Sequence, residues 1–388
     1  MRFRTIVFAL GVVLPVGAPE AAPRVPRNDA EVVERLPGRR DDPAMAELRQ
    51  LHAALADSPR DTAAASALAQ RYFELASAEG DPRYVGYAEG ALRPWKDAAA
   101  PPEILFARAL LRQYRHDFEG ALADLAQALQ RDPALVEARA WRAAIFMVRA
   151  EYAAAAQECK ALSGLASELQ ATGCSAYVDA TTGKARDAYR RLDEALRRNP
   201  DAGPYARLWA LTRLGEMSAR LGDDAAAERH FRAALALGVT DNFLLAAYAD
   251  FLLERKRAPE VVKLLKDWER SDTLLLRLAL AEQSLGLPAA ARHAQALGER
   301  FAAAALRGEK LHLAEEARYF LDLRRDARAA LAAAAENWKS QREPRDARAL
   351  LEAALAAGER TAAAPVLRWL ADTGFEDARL RQLAAQLK

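Results

Sequence analysis

The stretch Leu208–Asp241, LWALTRLGEMSARLGDDAAAERHFRAALALGVTD, decides the fold of this 388-residue chain. Within it Leu214-Gly215, Gly222-Asp223, Ala227, Phe231, Ala234 and Leu235 follow in an order that suits two helices and a turn. Small residues stand where two helices must touch, and bulky ones stand where they interlock. A unit of about 34 residues cannot bury its apolar face alone, so neighbouring units must stack.

The same spacing spreads outward. One unit runs over 102–135, with Ala109 and Ala121 at the close-approach positions, a turn at His116-Asp117 and Pro133 closing it. The next starts near Val136, turns at Ala150-Glu151 and carries Ala155 at the matching place. A third, 169–202, has Gly183, Ala188, Leu192, Ala195 and a closing Asn199-Pro200. Weaker units begin near Asn242, Asp272, Leu311 and Pro344. Toward the N-terminus, helices are expected over 44–56, 62–78 and 82–95, with a turn at Gly80-Asp81-Pro82. The organisation read from this pass is a leader over 1–22, an extended lead-in over 23–43, N-terminal helices with a first irregular repeat over 44–101, the repeat array over 102–373, and a capping helix over 375–388.

Composition agrees with an all-α chain. Ala, Leu, Arg and Glu dominate, glycines number 19, and β-branched runs are nearly absent. A single compact core would not serve 388 residues, but a solenoid escapes that limit because each repeat touches only its neighbours. Basic residues number 56 and acidic ones 54. Without Arg2, Arg4 and Glu20 of the leader the balance is 54 to 53. That evenness speaks against nucleic acid as partner, which calls for a basic stripe. Pairs such as Arg190-Arg191 and Arg324-Arg325 read as solvated helix faces.

The N-terminus reads as an export signal. Arg2 and Arg4 precede an apolar run, Thr5–Val16, too short to cross a bilayer core of about 30 Å. Small residues follow at Gly17, Ala18, Ala21 and Ala22, although Pro19 and Pro23 sit badly beside the cleavage positions. The alternative is an uncleaved anchor. No later apolar stretch reaches the roughly 20 residues of a membrane span. The expected location is therefore periplasmic or extracellular.

The repeat pattern resembles the tetratricopeptide-repeat family. In the best unit Leu211, Leu214, Gly215, Ala227, Phe231, Ala234 and Val239 occupy the family's signature places, with Ser218 where an aromatic is usual. In the unit from Pro102, Leu105, Ala109, Ala121, Leu125, Ala128 and Pro133 do so. The resemblance spans roughly 60–375 and implies a right-handed α-solenoid of stacked antiparallel helix pairs. First helices would line a concave groove that binds peptides, helices or whole proteins. The family's carboxylate clamp uses Lys and Asn at set first-helix positions. No such set stands in consecutive units here, so that ligand is not carried over.

The repeat register assigns Phe106, Leu110, Tyr114, Met147, Tyr177, Trp209, Phe243, Leu276, Leu280, His312 and Tyr319 to the groove as a polypeptide-binding surface. Trp95, Trp141, Trp268, Trp338 and Trp369 read as inter-helix packing. His52, His116, His230, His293 and His312 lie far apart and make no metal-ligand spacing. No nucleophile elbow or phosphate loop is present, so neither a catalytic role nor a cofactor is expected. The only cysteines, Cys159 and Cys174, fall on adjoining helices of successive units, where a disulfide across the interface is expected. The function expected is an exported, non-enzymatic interaction scaffold for an envelope polypeptide. The alternative is a binding protein for an envelope glycan or small molecule. An open aromatic groove would favour the first and a closed polar pocket the second.

Overall fold

The computed structural model describes residues 43–96 and 99–387, all of them helix, turn or irregular backbone with no strand among them. The expected leader and lead-in lie outside the described residues up to their last position, Pro43. Residues up to Glu47 form a unit of their own, of which only the first turns of α1 (Pro43–Asp57) are described; the chain from Leu48 on is one compact unit.

Helix pairs follow in register: α2 (Thr62–Glu79) with α3 (Arg83–Ala91), α4 (Pro102–Tyr114) with α5 (Phe118–Arg131), α6 (Val136–Val148) with α7 (Tyr152–Leu162). Then come α8 (Glu168–Thr181) with α9 (Ala185–Arg198), α10 (Pro204–Leu221) with α11 (Asp224–Leu235), and α12 (Asn242–Glu254) with α13 (Ala258–Leu265). The array continues with α14 (Asp272–Ser284) and α15 (Ala289–Leu306), then α16 (Leu313–Arg318), which runs into a π-helical turn over Tyr319–Leu323, and α17 (Ala327–Asn337). Last are α18 (Pro344–Ala357), a 3-10 turn over Arg360–Ala363, α19 (Ala364–Thr373) and α20 (Ala378–Leu387). Each helix packs on its pair partner, and most also touch the following pair. The expected helix over 82–95 stops at Ala91 instead, because Pro94 disfavours helical backbone at the residue before it.

The turn inside each pair carries the repeat most plainly. Gly80, His116, Ala150, Gly183, Gly222, Lys256, Gly286, Arg325 and Gly358 all adopt positive φ, recurring every 30 to 39 residues. One left-handed residue reverses the chain tightly enough for two helices to lie side by side. After several of these the next side chain caps the second helix: Asp117, Asp223 and Asp326 accept from Gly120, Ala226 and Ala329 N–H. The close-approach alanines 109, 121, 155, 188 and 227 are at most 1% exposed. Gly215 is required for the same reason: a Cβ there would lie 2.8 Å from the Phe231 ring. An all-α solenoid of stacked antiparallel pairs is the result, and Cys159 of α7 is bonded to Cys174 of α8 with Cα atoms 5.3 Å apart.

The array does not stay open. Gln341 reaches His116 at 3.3 Å, and the backbone N–H of Arg342 donates to Val148 at 2.7 Å. Tyr177 donates to Glu343, and Trp369 to Tyr152. Glu376 accepts the N–H of Ala185 at the start of α9, a helix with no side-chain cap of its own. The turn at Gly374 lies against the turn at Gly183, where a Cβ would meet Thr373 and Gly374 carbonyl oxygens at 3.2 and 3.3 Å. The last units thus close against the intra-pair turns and adjoining helix ends of the earlier ones.

Candidate binding cavity

Three of the expected groove residues converge. Trp209 on α10 packs edge-on against Tyr177 of α8, their rings 6.1 Å apart at 89°. Gly173 makes the room, since a Cβ there would stand 2.7 Å from the Trp209 ring. Arg213, one turn beyond Trp209, lays its guanidinium 4.3 Å from the Tyr177 ring centre, 4.6 Å from Phe243 and 5.6 Å from Trp209. This guanidinium covers one face of the Tyr177 and Phe243 rings by cation–π contact. Arg213 also bonds Glu216 at 2.8 Å.

Around this cluster lies a cavity of about 510 Å³, walled by Tyr177 and Phe243, by α10 and α12, and by α16, α18 and the start of α20. It holds eight arginines and eight carboxylates, and most pair across the wall. Asp250 bridges Arg277 at 2.7 Å and Arg318 at 2.8 Å. Burial alone would raise this carboxyl, but the two guanidinium charges outweigh it and hold it well below the usual range. Glu352 joins Arg348 at 3.0 Å and Arg379 at 3.1 Å, and Arg348 also reaches Glu254 from α18 to α12. Arg255 pairs with Asp224 and Glu254. Glu343 pairs with Arg345 at 2.7 Å and accepts from Tyr177 at 3.4 Å. Burial pushes the Tyr177 phenol up. Where the cavity meets solvent, Gly222, Asp224, Ala378 and Arg379 are exposed.

The other expected groove residues go elsewhere. Phe106, Leu110, Met147, Leu276 and Tyr319 are buried, so the open aromatic wall read from the register is corrected: these side chains are core. Met147 packs with Cys159 and Val178, and Leu276 and Leu280 with the cluster around Phe251. Tyr114 meets Phe73 edge-on at 6.4 Å, while His312 and Tyr319 both approach Phe301. The physical reason is packing between neighbouring helices and units, which buries these side chains in the seams of the stack. Among the tryptophans, Trp141 packs on Phe73, Trp338 on Trp369, and Trp268 against the central core.

The cavity's charged groups escaped the sequence reading because each looks like an ordinary surface i, i+4 partner until the closing helices arrive. The histidines have protein neighbours: His52 bonds Tyr72, His230 bonds Tyr189, and His293 bonds Glu282 at 2.7 Å. Among the described residues no group of three or more His, Cys, Asp or Glu is arranged around a metal position.

No known family profile matches the chain, and no curated protein matches it in sequence. Solved structures do resemble it. The APC/C hetero-tetramer Cut9–Hcn1 is matched over 89% of this chain and 66% of that one, at 15% identity with a TM-score of 0.52. A tetratricopeptide-repeat protein from Parabacteroides merdae is matched over 74% of this chain and 98% of that one, also at 15% identity, with a TM-score of 0.34. Yeast Tom70 gives 82% and 59% at 15% identity and 0.41. The chain thus spans about two thirds of the Cut9–Hcn1 chain it matches. At 15% identity the likeness to Cut9–Hcn1 shows the fold alone, an all-α helical-repeat solenoid.

Proposed function

We propose that this protein is an exported, non-enzymatic scaffold that binds a polypeptide of the cell envelope through the cavity bounded by α8, α10, α12 and α18. The observation that carries this reading is the convergence of Tyr177, Phe243 and paired charges of both signs on one accessible space of about 510 Å³. Aromatic faces supply contact area at low entropy cost, and fixed charges of both signs suit a chain with amide and ionic groups. Helical-repeat solenoids commonly serve as extended protein-binding surfaces. Export is supported by the charged and apolar leader and by the Cys159–Cys174 disulfide, which suits an oxidising compartment. Tom70 and the Cut9–Hcn1 assembly share parts of the architecture at low identity, and their partners are not transferred to this chain.

The test is capture of partners from envelope extract with the leaderless protein, followed by titration of the captured polypeptide against Phe243→Ala and against the outer-face control Arg186→Ala. Loss of an aromatic anchor of this kind weakens binding roughly thirtyfold. Equal affinities for the two variants would remove the cavity from the account. A second reading is favoured by one observation, the enclosure of the cavity by converging polar groups, which suits a small polar ligand such as an envelope sugar. Calorimetric titration with envelope glycan fragments separates the two.

A further inference from the structure

Of the eight arginines in the cavity wall, seven have a carboxylate within ion-pair distance. Arg220 makes none among the described residues. Its Nη2 donates to the Ala180 carbonyl at 3.1 Å, and its guanidinium lies 4.6 Å from the Phe375 ring centre. Its Nε is buried without a hydrogen-bond partner. A guanidinium offers five N–H donors in a fixed fork, and leaving the Nε donor unmet away from water is costly. Burial depresses this arginine below its ordinary value, against the raising effect of Glu216 and Asp377.

The nearby carboxylates are engaged elsewhere. Glu216 bonds Arg213, and Asp377 uses Oδ1 to accept the Leu380 N–H at the start of α20. Asp377 is also the one cavity carboxylate with no ion pair, and its Oδ2 makes no hydrogen bond among the described residues. One cation and one acceptor therefore face the same space with capacity left over. They lie beside the exposed rim at Gly222 and Ala378.

Resting on the polypeptide reading above, we propose that Arg220 and Asp377 bracket an acidic residue of the bound polypeptide, its side-chain carboxylate received by Arg220 and a backbone N–H by Asp377. A carboxylate fits the guanidinium fork with two parallel hydrogen bonds. The net charge of Arg220, Arg213, Glu216 and Asp377 together is zero, so a free anion gains little there. A peptide residue brings a donor along with its charge.

The probe is a set of hexapeptide pools, acetylated and amidated at their ends, that carry Glu, Gln or Lys at one fixed position. Retention on the immobilised full mature chain is expected to favour the Glu pool over the Gln pool by about tenfold, the worth of a charge-assisted bond. Arg220→Gln should abolish that preference while the melting transition confirms folding. Asp377→Asn, whose Oδ1 can still cap α20, should weaken every pool and keep the Glu preference; it serves as the second variant should Arg220→Gln not fold. Glu and Gln pools held alike by the wild type, or a Glu preference that survives Arg220→Gln, overturns the inference and leaves polypeptide binding standing. Retention of no pool, with inorganic phosphate binding in an Arg220-dependent manner, overturns the polypeptide reading itself.

Discussion

Trp369 donates its indole N–H to the Tyr152 hydroxyl at 2.8 Å, joining α19 to the first turn of α7 across 217 positions of sequence. Trp369 is 7% exposed, and burial pushes the Tyr152 phenol up to about 12. The bond fastens the last units to the start of α7. Tyr152→Phe leaves a buried donor unmet and is expected to cost about 1–3 kcal/mol in chemical denaturation. Trp369→Ala should cost about 3–5 kcal/mol and increase the radius of gyration measured by X-ray scattering. An unchanged radius would show that the closure does not depend on this contact.

Cys159 and Cys174 close a loop of 15 residues between neighbouring units. In the chain-entropy account such a bridge is worth about 3 kcal/mol. Cys159→Ser with Cys174→Ser should lower the denaturation midpoint by a corresponding amount, and thiol labelling of the unfolded, unreduced wild type should find no free sulfhydryl. Two reactive thiols in protein recovered from an oxidising compartment would refute the pairing.

Gly215 meets Phe231 where α10 crosses α11. Alanine is the better helix former by about 1 kcal/mol, yet here its Cβ would stand 2.8 Å from a ring that is 1% exposed. Phe231 cannot retreat without disturbing Tyr248 and Phe251, whose rings lie 5.5 and 5.7 Å away. Gly215→Ala is therefore expected to destabilise by about 1–3 kcal/mol net, and a rise in melting temperature would contradict this packing account.

Stability should bend with pH from two sides. Burial lowers His116 to about 4, helped by Arg345 and His312 and opposed by Glu315 and Glu343. The unfolded chain then binds the extra proton between about 6.5 and 4, so this group's contribution is present above 6.5 and lost as pH falls toward 4. Burial pushes Asp346 up to about 7, Arg345 offsetting it in part and Glu343 adding to it. That contribution is fully present below the unfolded value of 3.8 and lost as pH rises through about 7. His116→Asn, which tolerates the left-handed turn there (φ 59°), should flatten the acid limb of a urea-midpoint profile between pH 4 and 6.5. An acid limb of unchanged slope would exclude His116 as its source.

Much of the fold was legible because a helix pair is a local object. Gly222-Asp223 announces a left-handed turn and a cap within two residues, and Ala227 and Phe231 sit one helical turn apart on the face that meets α10. Cys159 and Cys174 pair between adjacent units, so register alone brought them together. The candidate site was legible only where neighbouring units meet: Tyr177, Trp209 and Phe243 come from successive first helices and do converge. Their partner in that convergence, Arg213, reads in one dimension as a solvated surface charge.

The helix pair, its turn and the contact between neighbours are thus set by residues within about one repeat of each other. Glu343, Trp369 and Glu376 come to rest on Tyr177, Tyr152 and Ala185, between 166 and 217 positions away, only once the whole array is assembled. Small rotations between successive pairs add up along the array, and no single repeat encodes their sum. The same summation turned an expected open groove into a charged cavity, and placed Arg220 of one unit beside Phe375 of the last.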